Sequence, residues 1–374
     1  MPFDRVRFHS FRNVADEEIP VAAERIFLVG ENGQGKTNFL EALYFLSFGS
    51  SFRGSADTEV SRHGSDGFVL EAWVRNSSST DLPAENIRVS MANGVKEIRR
   101  EGKRLYDRKE LIELNPAIIF CHEDFEIAAG EPERRRTFFD QTAGLVSPVY
   151  LDTLRSYKRA LRQRNAAIKE RDLAILEFLD IQLAELGISL MNERAAITNA
   201  LAPLFGGIYA EVSRLDTPIG LSYRPSWRHG SDLDSIVENL ARRRSQELAM
   251  GTTLSGPHRD RWLFSRGELN FVDSASTGQI RLLSLVLRSL QAVYYTTVTG
   301  RKPVLLLDDV LLELDPERRK RFLATIPEAS QSFFTFLPGE RWEDYQSTSA
   351  IVYRVEDGRF SDQGRLLPSP GLLQ

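Results

Sequence analysis

Apolar and polar positions alternate along Val6-Arg7-Phe8-His9-Ser10-Phe11-Arg12-Asn13-Val14, the period of a half-buried strand. A second strand is expected from Glu18 to Val29, its last part, Arg25-Ile26-Phe27-Leu28-Val29, being short and apolar. Asn38 to Leu46 then carries a continuous apolar face at helical spacing. Gly67 to Arg75, Asn86 to Ala92 and Val95 to Arg100 read as antiparallel sheet, with Asn93-Gly94 as a hairpin turn and Ser77-Ser78-Ser79-Thr80 as a polar loop tip. Ala117 to Phe120 is a buried strand.

From Pro132 to about Met250 the period becomes helical. Leu151, Leu154, Tyr157, Leu161 and Ile168 form one seam, and a second periodic stretch, Leu173 to Leu186, ends at Gly187 and resumes from Ile188 to Leu201. After a turn-rich Thr252 to Asp260 come a strand at Arg261 to Phe264 and a helix whose Leu282, Leu283, Val286, Leu287 and Leu290 share a face. Two further apolar strands, Pro303 to Leu307 and Ser332 to Phe336, follow. The pattern predicts an α/β protein: a head of mixed sheet plus antiparallel β-subdomain, at 1–125 and 250–374, with a helical lobe inserted at 126–249.

The chain has 374 residues, 42% hydrophobic and 27% charged, as expected of a globular protein. Its formal net charge is -4, so any nucleic-acid binding must come from a local basic surface. One cysteine, Cys121, excludes an intramolecular disulfide framework and suits a reducing compartment. The first residues lack a signal-peptide pattern and no apolar run approaches the roughly 20 residues of a membrane span, so a cytoplasmic protein without membrane association is expected.

Gly30-Glu31-Asn32-Gly33-Gln34-Gly35-Lys36-Thr37, between apolar strand and helix, fits GxxxxGK[ST] in the context that a phosphate loop requires. Its glycines let backbone N–H groups and a helix start surround a phosphate; Lys36 reaches the β- and γ-phosphates and Thr37 takes one position on Mg²⁺. Gly30 to Asn38 are therefore candidate ATP-binding residues. Arg12 is either a solvated strand-end cation or a second cation near the nucleotide. Asp308 and Asp309 end the apolar strand Pro303 to Leu307, the Walker B pattern, which assigns Asp308 to the Mg²⁺ site with Thr37 and Asp309 to the attacking water. Lys36, Asp308 and Asp309 are the candidate catalytic residues.

Ser276-Thr277-Gly278-Gln279 precedes a helix and is either an anion site or a structural cap. Glu313 and Asp315 lie in the acidic turn Leu311-Leu312-Glu313-Leu314-Asp315-Pro316. The order of phosphate loop, serine-glycine signature, Walker B, acidic turn and last strand describes an ABC-type ATPase. In that class the signature completes the site of a partner, which implies an ATP-dependent head-to-tail homodimer with Glu313 and Asp315 at its interface. Arg155, Lys158, Arg159 and Arg162 make a cationic stripe at helical spacing, either a solvated face or a contact for DNA phosphates. Cys121-His122-Glu123-Asp124 has no second cluster at zinc-like spacing and reads as a connector.

The chain resembles the RecF family of the SMC-like ABC ATPases. The matching stretches are Phe11-Arg12-Asn13, Lys36-Thr37-Asn38 with Leu40-Glu41-Ala42, Ser51-Phe52-Arg53, Glu123-Asp124, Gly130 with Pro132 and Arg134-Arg135, Gln163-Arg164-Asn165, Gly256-Pro257-His258-Arg259-Asp260, Gly278-Gln279 with Arg281, and Leu306-Leu307-Asp308-Asp309-Val310 with Glu313-Leu314-Asp315. The resemblance implies DNA replication, recombination and repair: ATP-Mg drives a dimer that clamps duplex DNA near single-strand gaps, and the protein works with RecR and RecO to load RecA in gap repair and the SOS response. His122 stands where the family usually has Pro, and Leu312 where it usually has Ser. Asp309 is one methylene shorter than the usual Glu, and Thr335-Phe336-Leu337 lacks the histidine of transporter ATPases, which together imply slow hydrolysis. The rival readings are the ATPase subunit of a membrane transporter and a non-hydrolysing nucleotide-binding DNA scaffold.

Overall fold

In the computed structural model, residues 3–75, 83–214, 218–228, 232–345 and 349–366 are described; the loop tip Ser77 to Thr80 lies outside them. The chain divides into two compact units, Met1–Glu123 with Tyr295–Gln374, and Asp124–Tyr294.

The first unit opens with β1 (Phe3–His9), β2 (Glu18–Pro20), β3 (Arg25–Val29) and α1 (Lys36–Phe48). Next come β4 (Gly67–Val74), β5 (Glu85–Ala92), β6 (Val95–Arg100), β7 (Lys103–Arg104), α2 (Lys109–Leu114) and β8 (Ala117–Phe120). The second unit holds α3 (Phe125–Ala129), α4 (Pro132–Val146), α5 (Pro148–Glu170), α6 (Leu173–Ser213), β9 (Gly220–Arg224), α7 (Leu233–Met250), β10 (Arg261–Arg266), β11 (Leu269–Asn270) and α8 (Phe271–Ser274). Helix α9 covers Thr277–Thr299. The chain closes with β12 (Val304–Leu307), α10 (Pro316–Thr325), β13 (Gln331–Phe336), β14 (Ala350–Glu356) and β15 (Arg359–Leu366).

Two six-stranded sheets form the first unit, in the orders β2-β1-β4-β5-β6-β7 and β15-β14-β3-β13-β12-β8. The first is antiparallel and presents alternate residues to the core, which is why β4 shows a strict period of two. In the second, β8, β12, β13, β3 and β14 run parallel, and β8, β12 and β13 are buried along their whole length. β8 and β12 accordingly read as unbroken apolar runs, while β13 also buries Gln331, Ser332 and Thr335. Helix α1 contributes Phe39, Leu40, Leu43, Phe45 and Leu46 to one core cluster with residues of both sheets.

The segment Glu18 to Val29, expected as one strand, is two strands in different sheets. Pro20 supplies no N–H to a ladder, and the corner after it is held by the buried Gln331 amide, which donates to the carbonyls of Val21 and Ala23. Likewise β1 stops at His9, short of the expected Val14, because Ser10 and Arg12 take φ of 52° and 46°. The Asn93-Gly94 hairpin is present, with both residues at positive φ between the paired Ala92 and Val95.

In the second unit Gly187 does not end a helix, and α6 continues through it for 41 residues. The glycine is there for close approach: a Cβ would lie 2.3 Å from the Trp227 ring. The helical texture between Pro132 and Met250 is also interrupted by β9, which pairs with β10. Ser147 caps α5 and Asp172 caps α6, each side chain accepting a backbone N–H three residues on.

Candidate functional site

The parallel strands β3, β13 and β12 end at one edge, where Gly30 N–H donates to Phe336 O and Asp308 N–H to Phe120 O. The loop from Gly30 to Gly35 crosses this edge into α1. Gly33 and Gly35 take φ of 79° and 113°, conformations that favour glycine. Gly30 has a different requirement: a Cβ there would sit 2.3 Å from Val355 O on β14. Gln34 ties the loop to the β14–β15 turn, since its side-chain oxygen accepts from Asp357 N–H at 2.6 Å and its carbonyl from Gly358 N–H at 2.9 Å.

Lys36 is buried, its Nζ donating to the loop carbonyls of Gly30 at 2.6 Å and Glu31 at 3.1 Å. Thr37 Oγ1 donates to Asp308 Oδ1 at 2.9 Å, bringing together two residues 271 positions apart. Asp309 follows at φ 53°, its N–H donating to Thr335 Oγ1 at 2.8 Å. The Thr335 hydroxyl lies 2.7 Å from Asp309 Oδ1 and 3.2 Å from Asp308 Oδ1, and its single proton favours the shorter contact. Burial pushes the Asp308 carboxyl up to about 6, the neighbouring Asp309 adding to the rise while the Thr37 and Thr335 hydroxyls oppose it. A hydroxyl and a carboxylate converging beside a buried lysine form a hard-oxygen set suited to Mg²⁺ next to a triphosphate. Among the described residues no group of three or more His, Cys, Asp or Glu could hold a metal by itself.

A cavity of about 300 Å³ covers the loop, lined by Asn32, Gly33, Lys36, Thr37, Arg53 and Asp309 among others. A larger one of about 660 Å³, lined by Val29, Gln34, Trp342, Val352 and Val355, is lined by neither Lys36, Thr37 nor either aspartate. The smaller cavity carries Lys36 and Arg53 against Glu31 and Asp309, whereas the charged lining of the larger one is Arg354 against Glu31, Glu356 and Asp357.

The Arg12 guanidinium is spoken for: Nε and Nη2 donate to the fully buried Glu41 carboxylate at 3.0 and 2.8 Å, Nη2 also to Ser55 and Nη1 to Glu59 O. Beside Lys36, the cavity wall carries Arg53, held by Asn38 Oδ1 at 2.9 Å and by Glu41 Oε2 at 3.4 Å. Asn38 is in turn linked to Asn13, whose amide donates to Gly33 O. Sequence reasoning does not single out Thr335, Arg53 or Asn13 for the site; Arg53 and Asn13 stand in recognisable motifs, whereas Thr335 carries no local signal.

Ser276 and Gln279 form a reciprocal cap of α9. Ser276 N–H donates to Gln279 Oε1 at 2.8 Å and Gln279 N–H to Ser276 Oγ at 3.3 Å. Ser276, Thr277 and Gly278 are exposed, and a Cβ on Gly278 would meet nothing within 4 Å, so this helix start is open to a ligand. Asp315 caps α10 by accepting Arg318 N–H at 2.9 Å; the side chain of Glu313 lies outside the described residues. Arg155, Lys158, Arg159 and Arg162 are on α5, which buries Leu154, Tyr157 and Ile168; Arg155, Lys158 and Arg159 sit among its exposed positions and Arg162 with them.

The Gly256 to Asp260 turn is a structural knot of the second unit. Asp260 accepts from Arg194 Nη1 at 2.8 Å, from Ser226 N–H at 2.7 Å and from the Tyr223 hydroxyl. His258 Nε2 lies 3.1 Å from Thr253 O, which can only accept, so the proton is on Nε2 and Nδ1 accepts from the Tyr157 hydroxyl at 2.8 Å. Burial lowers its pKa to about 4. Arg164, in the α5 seam, is completely buried and donates to Asp180, Thr253 and Glu247 at 2.7 to 2.8 Å. Asp124, next to His122 in the connector, accepts two hydrogen bonds from Arg288, at 2.9 and 2.7 Å.

The family model of the RecF/RecN/SMC N-terminal domain matches residues 3–358. The DNA replication and repair protein RecF of Treponema pallidum is 41% identical over 351 residues, 93% of this chain and 98% of the relative. RecF of Leptospira interrogans is 31% identical over 338 residues, 90% and 92% of the two chains. A solved structure of the recombination mediator RecF with ATP, from the RecFOR pathway, superposes with a TM-score of 0.86 at 27% identity, covering 97% of each chain. An SMC head bound to a ScpA domain shares the fold, with a TM-score of 0.56 at 16% identity over 98% of each. Among the described residues no helix is long and apolar enough to cross a membrane.

Proposed function

Because the chain belongs to the RecF family, we propose that it is an ATP-dependent DNA-binding recombination mediator whose two copies close head to tail on ATP-Mg. The observation that carries the reading is the 2.9 Å contact between Thr37 Oγ1 and Asp308 Oδ1 beside Lys36. In this reading the Gly30 to Asn38 loop cradles the triphosphate through its N–H groups, and Lys36 leaves its two loop carbonyls for the β- and γ-phosphates. Thr37 and Asp308 hold Mg²⁺, which when bound neutralises charge on the phosphate oxygens. Asp309 orients the attacking water, steadied by Thr335, and Arg53 takes the cationic role on the cavity wall.

The exposed Ser276 to Gln279 helix start meets the γ-phosphate held by the partner, with Glu313 and Asp315 at the same interface. Duplex DNA near a single-strand gap is held by the closed dimer, with Arg155, Lys158, Arg159 and Arg162 contributing phosphate contacts that carry no base information. With RecR and RecO the complex promotes RecA loading in gap repair and the SOS response. Hydrolysis is slow and times release, an expectation refuted by steady-state turnover of about 10 s⁻¹ or more, the enzyme median.

Sedimentation of wild type, Lys36→Met and Ser276→Arg, with and without ATP-Mg and gapped duplex, tests the reading. ATP-Mg is expected to dimerise wild type alone, and the dimer to retain DNA in a salt-sensitive manner. Three monomers binding DNA equally would replace the clamp by a nucleotide-binding scaffold.

A further inference from the structure

The antiparallel sheet of the first unit turns one face outward, and one row across that face is made only of charged residues. The register sets Glu18 opposite Arg7, Arg7 opposite Glu71, Glu71 opposite Arg88, Arg88 opposite Arg99, and Arg99 opposite Arg104. At about 4.8 Å per strand the row spans about 24 Å.

Its two halves differ. From β2 to β5 the signs alternate and the pairs close, Arg7 lying 2.6 Å from Glu18 and 3.4 Å from Glu71, and Arg88 3.0 Å from Glu71. From β5 to β7 three arginines stand side by side. Directly opposed like charges destabilise a sheet, and the acids within reach do not balance them. Arg99 and Arg104 share Glu97, at 3.1 and 3.9 Å, while Arg88 shares Glu71 with Arg7. Their side chains remain 45%, 46% and 52% exposed. Lys103 is exposed beside them, and the Arg104 guanidinium sits 5.5 Å over the ring of the exposed Tyr106. Selection for stability alone would have continued the alternation seen in the first half.

We infer that Arg88, Arg99 and Arg104 form a landing row for the sugar-phosphate backbone of duplex DNA, a second contact surface separate from the α5 stripe. The inference rests on the DNA-binding reading above. Guanidinium forks match phosphate oxygens, and three of them about 10 Å from end to end meet successive phosphates of one strand. The outward residues flanking the row on β5 and β6 are polar at Asn86, Ser90 and Glu97, with the exposed Val95 at the hairpin end of the same face.

Fluorescence anisotropy with a duplex of about 30 base pairs, titrated with KCl, tests this on three proteins. They are wild type, Arg88→Gln/Arg99→Gln/Arg104→Gln, and a control with equal charge loss at exposed positions off the row, Arg301→Gln/Lys302→Gln/Lys320→Gln. The row variant is expected to bind at least about tenfold more weakly at about 0.15 M salt, with a salt slope shallower by about 2 to 3, and the control to stay within about twofold of wild type. The row variant should melt close to wild type, since relief of like-charge opposition offsets the loss of the exposed Arg88–Glu71 and Arg99–Glu97 pairs. Arg99→Gln alone should lose about 0.9 of the slope, so the outcome does not depend on the triple variant folding. A steep wild-type slope matched by both row variants would overturn the inference and leave the DNA reading intact. Equal losses in the row variant and the control would overturn it too, as an effect of net charge. A wild type that ignores duplex DNA at all salt concentrations, with and without ATP, would bring down the DNA reading and the row with it.

Discussion

Replacing Asp308 by asparagine should stabilise the protein while abolishing its ATP-driven dimer. Burial raises the folded-state pKa of Asp308 from 3.8 to about 6. A carboxyl raised in this way contributes stability that is fully present below its unfolded pKa and lost as pH rises through its folded pKa. Roughly two pH units at 1.36 kcal/mol each put the cost of the ionised form near 3 kcal/mol above about pH 6, an upper bound for a partly exposed group. In Asp308→Asn the side chain keeps an oxygen to accept from Thr37 and offers an amide to Asp309, so geometry is preserved while the charge is gone. Urea and thermal unfolding of both proteins from about pH 4 to about pH 8 read the difference. The variant should be the more stable by up to about 3 kcal/mol at the alkaline end, with the gap closing towards about pH 4. A variant less stable than wild type at the alkaline end, or a gap independent of pH, would show that Asp308 is not held at the expense of the fold. Loss of ATP-Mg dimerisation in the same variant separates what the residue does for the ligand from what it does to the fold.

Arg164→Met should cost about 3 kcal/mol in urea unfolding, because the buried Glu247 loses its cation while Asp180 keeps only Arg244, at 2.8 Å. His258 is held neutral, so its contribution is complete above the unfolded value of 6.5 and is lost as pH falls towards about 4. The stability gap between wild type and His258→Gln should narrow by up to about 3 kcal/mol over that window, followed by unfolding at stepped pH. Gly30→Ala places a Cβ 2.3 Å from Val355 O and must displace the loop or β14. Titration with a fluorescent ATP analogue should show affinity falling about tenfold or more, the effect of a misfit of about 1.4 kcal/mol or larger.

The chemistry-bearing motifs were legible because each is written in adjacent residues. The phosphate loop needs glycines at fixed offsets, the Walker B strand is an apolar run ended by Asp308-Asp309, and Asn93-Gly94 specifies a two-residue turn. Buried strands and amphipathic helices follow from the period of apolar positions, which is why β4, β12 and α5 could be read directly. The same local logic misled where a residue's role is set by a distant partner. Gly187 resembled a helix end but is small to admit Trp227, and the run from Glu18 to Val29 divides where the buried Gln331 amide secures the corner after Pro20.

Tertiary structure alone decided that Arg12 makes a two-point contact with the buried Glu41 while Arg53, which touches the same carboxylate at 3.4 Å, lines the cavity over the loop. It also decided that Thr335 braces the two aspartates from the neighbouring strand. Strand register determined that arginines 88, 99 and 104 stand in one row, a relation with no trace in their spacing along the chain. Sequence encodes periodicity and turn chemistry, which are local; pairing register and the choice among charge partners depend on the packed backbone and emerge only with the folded core.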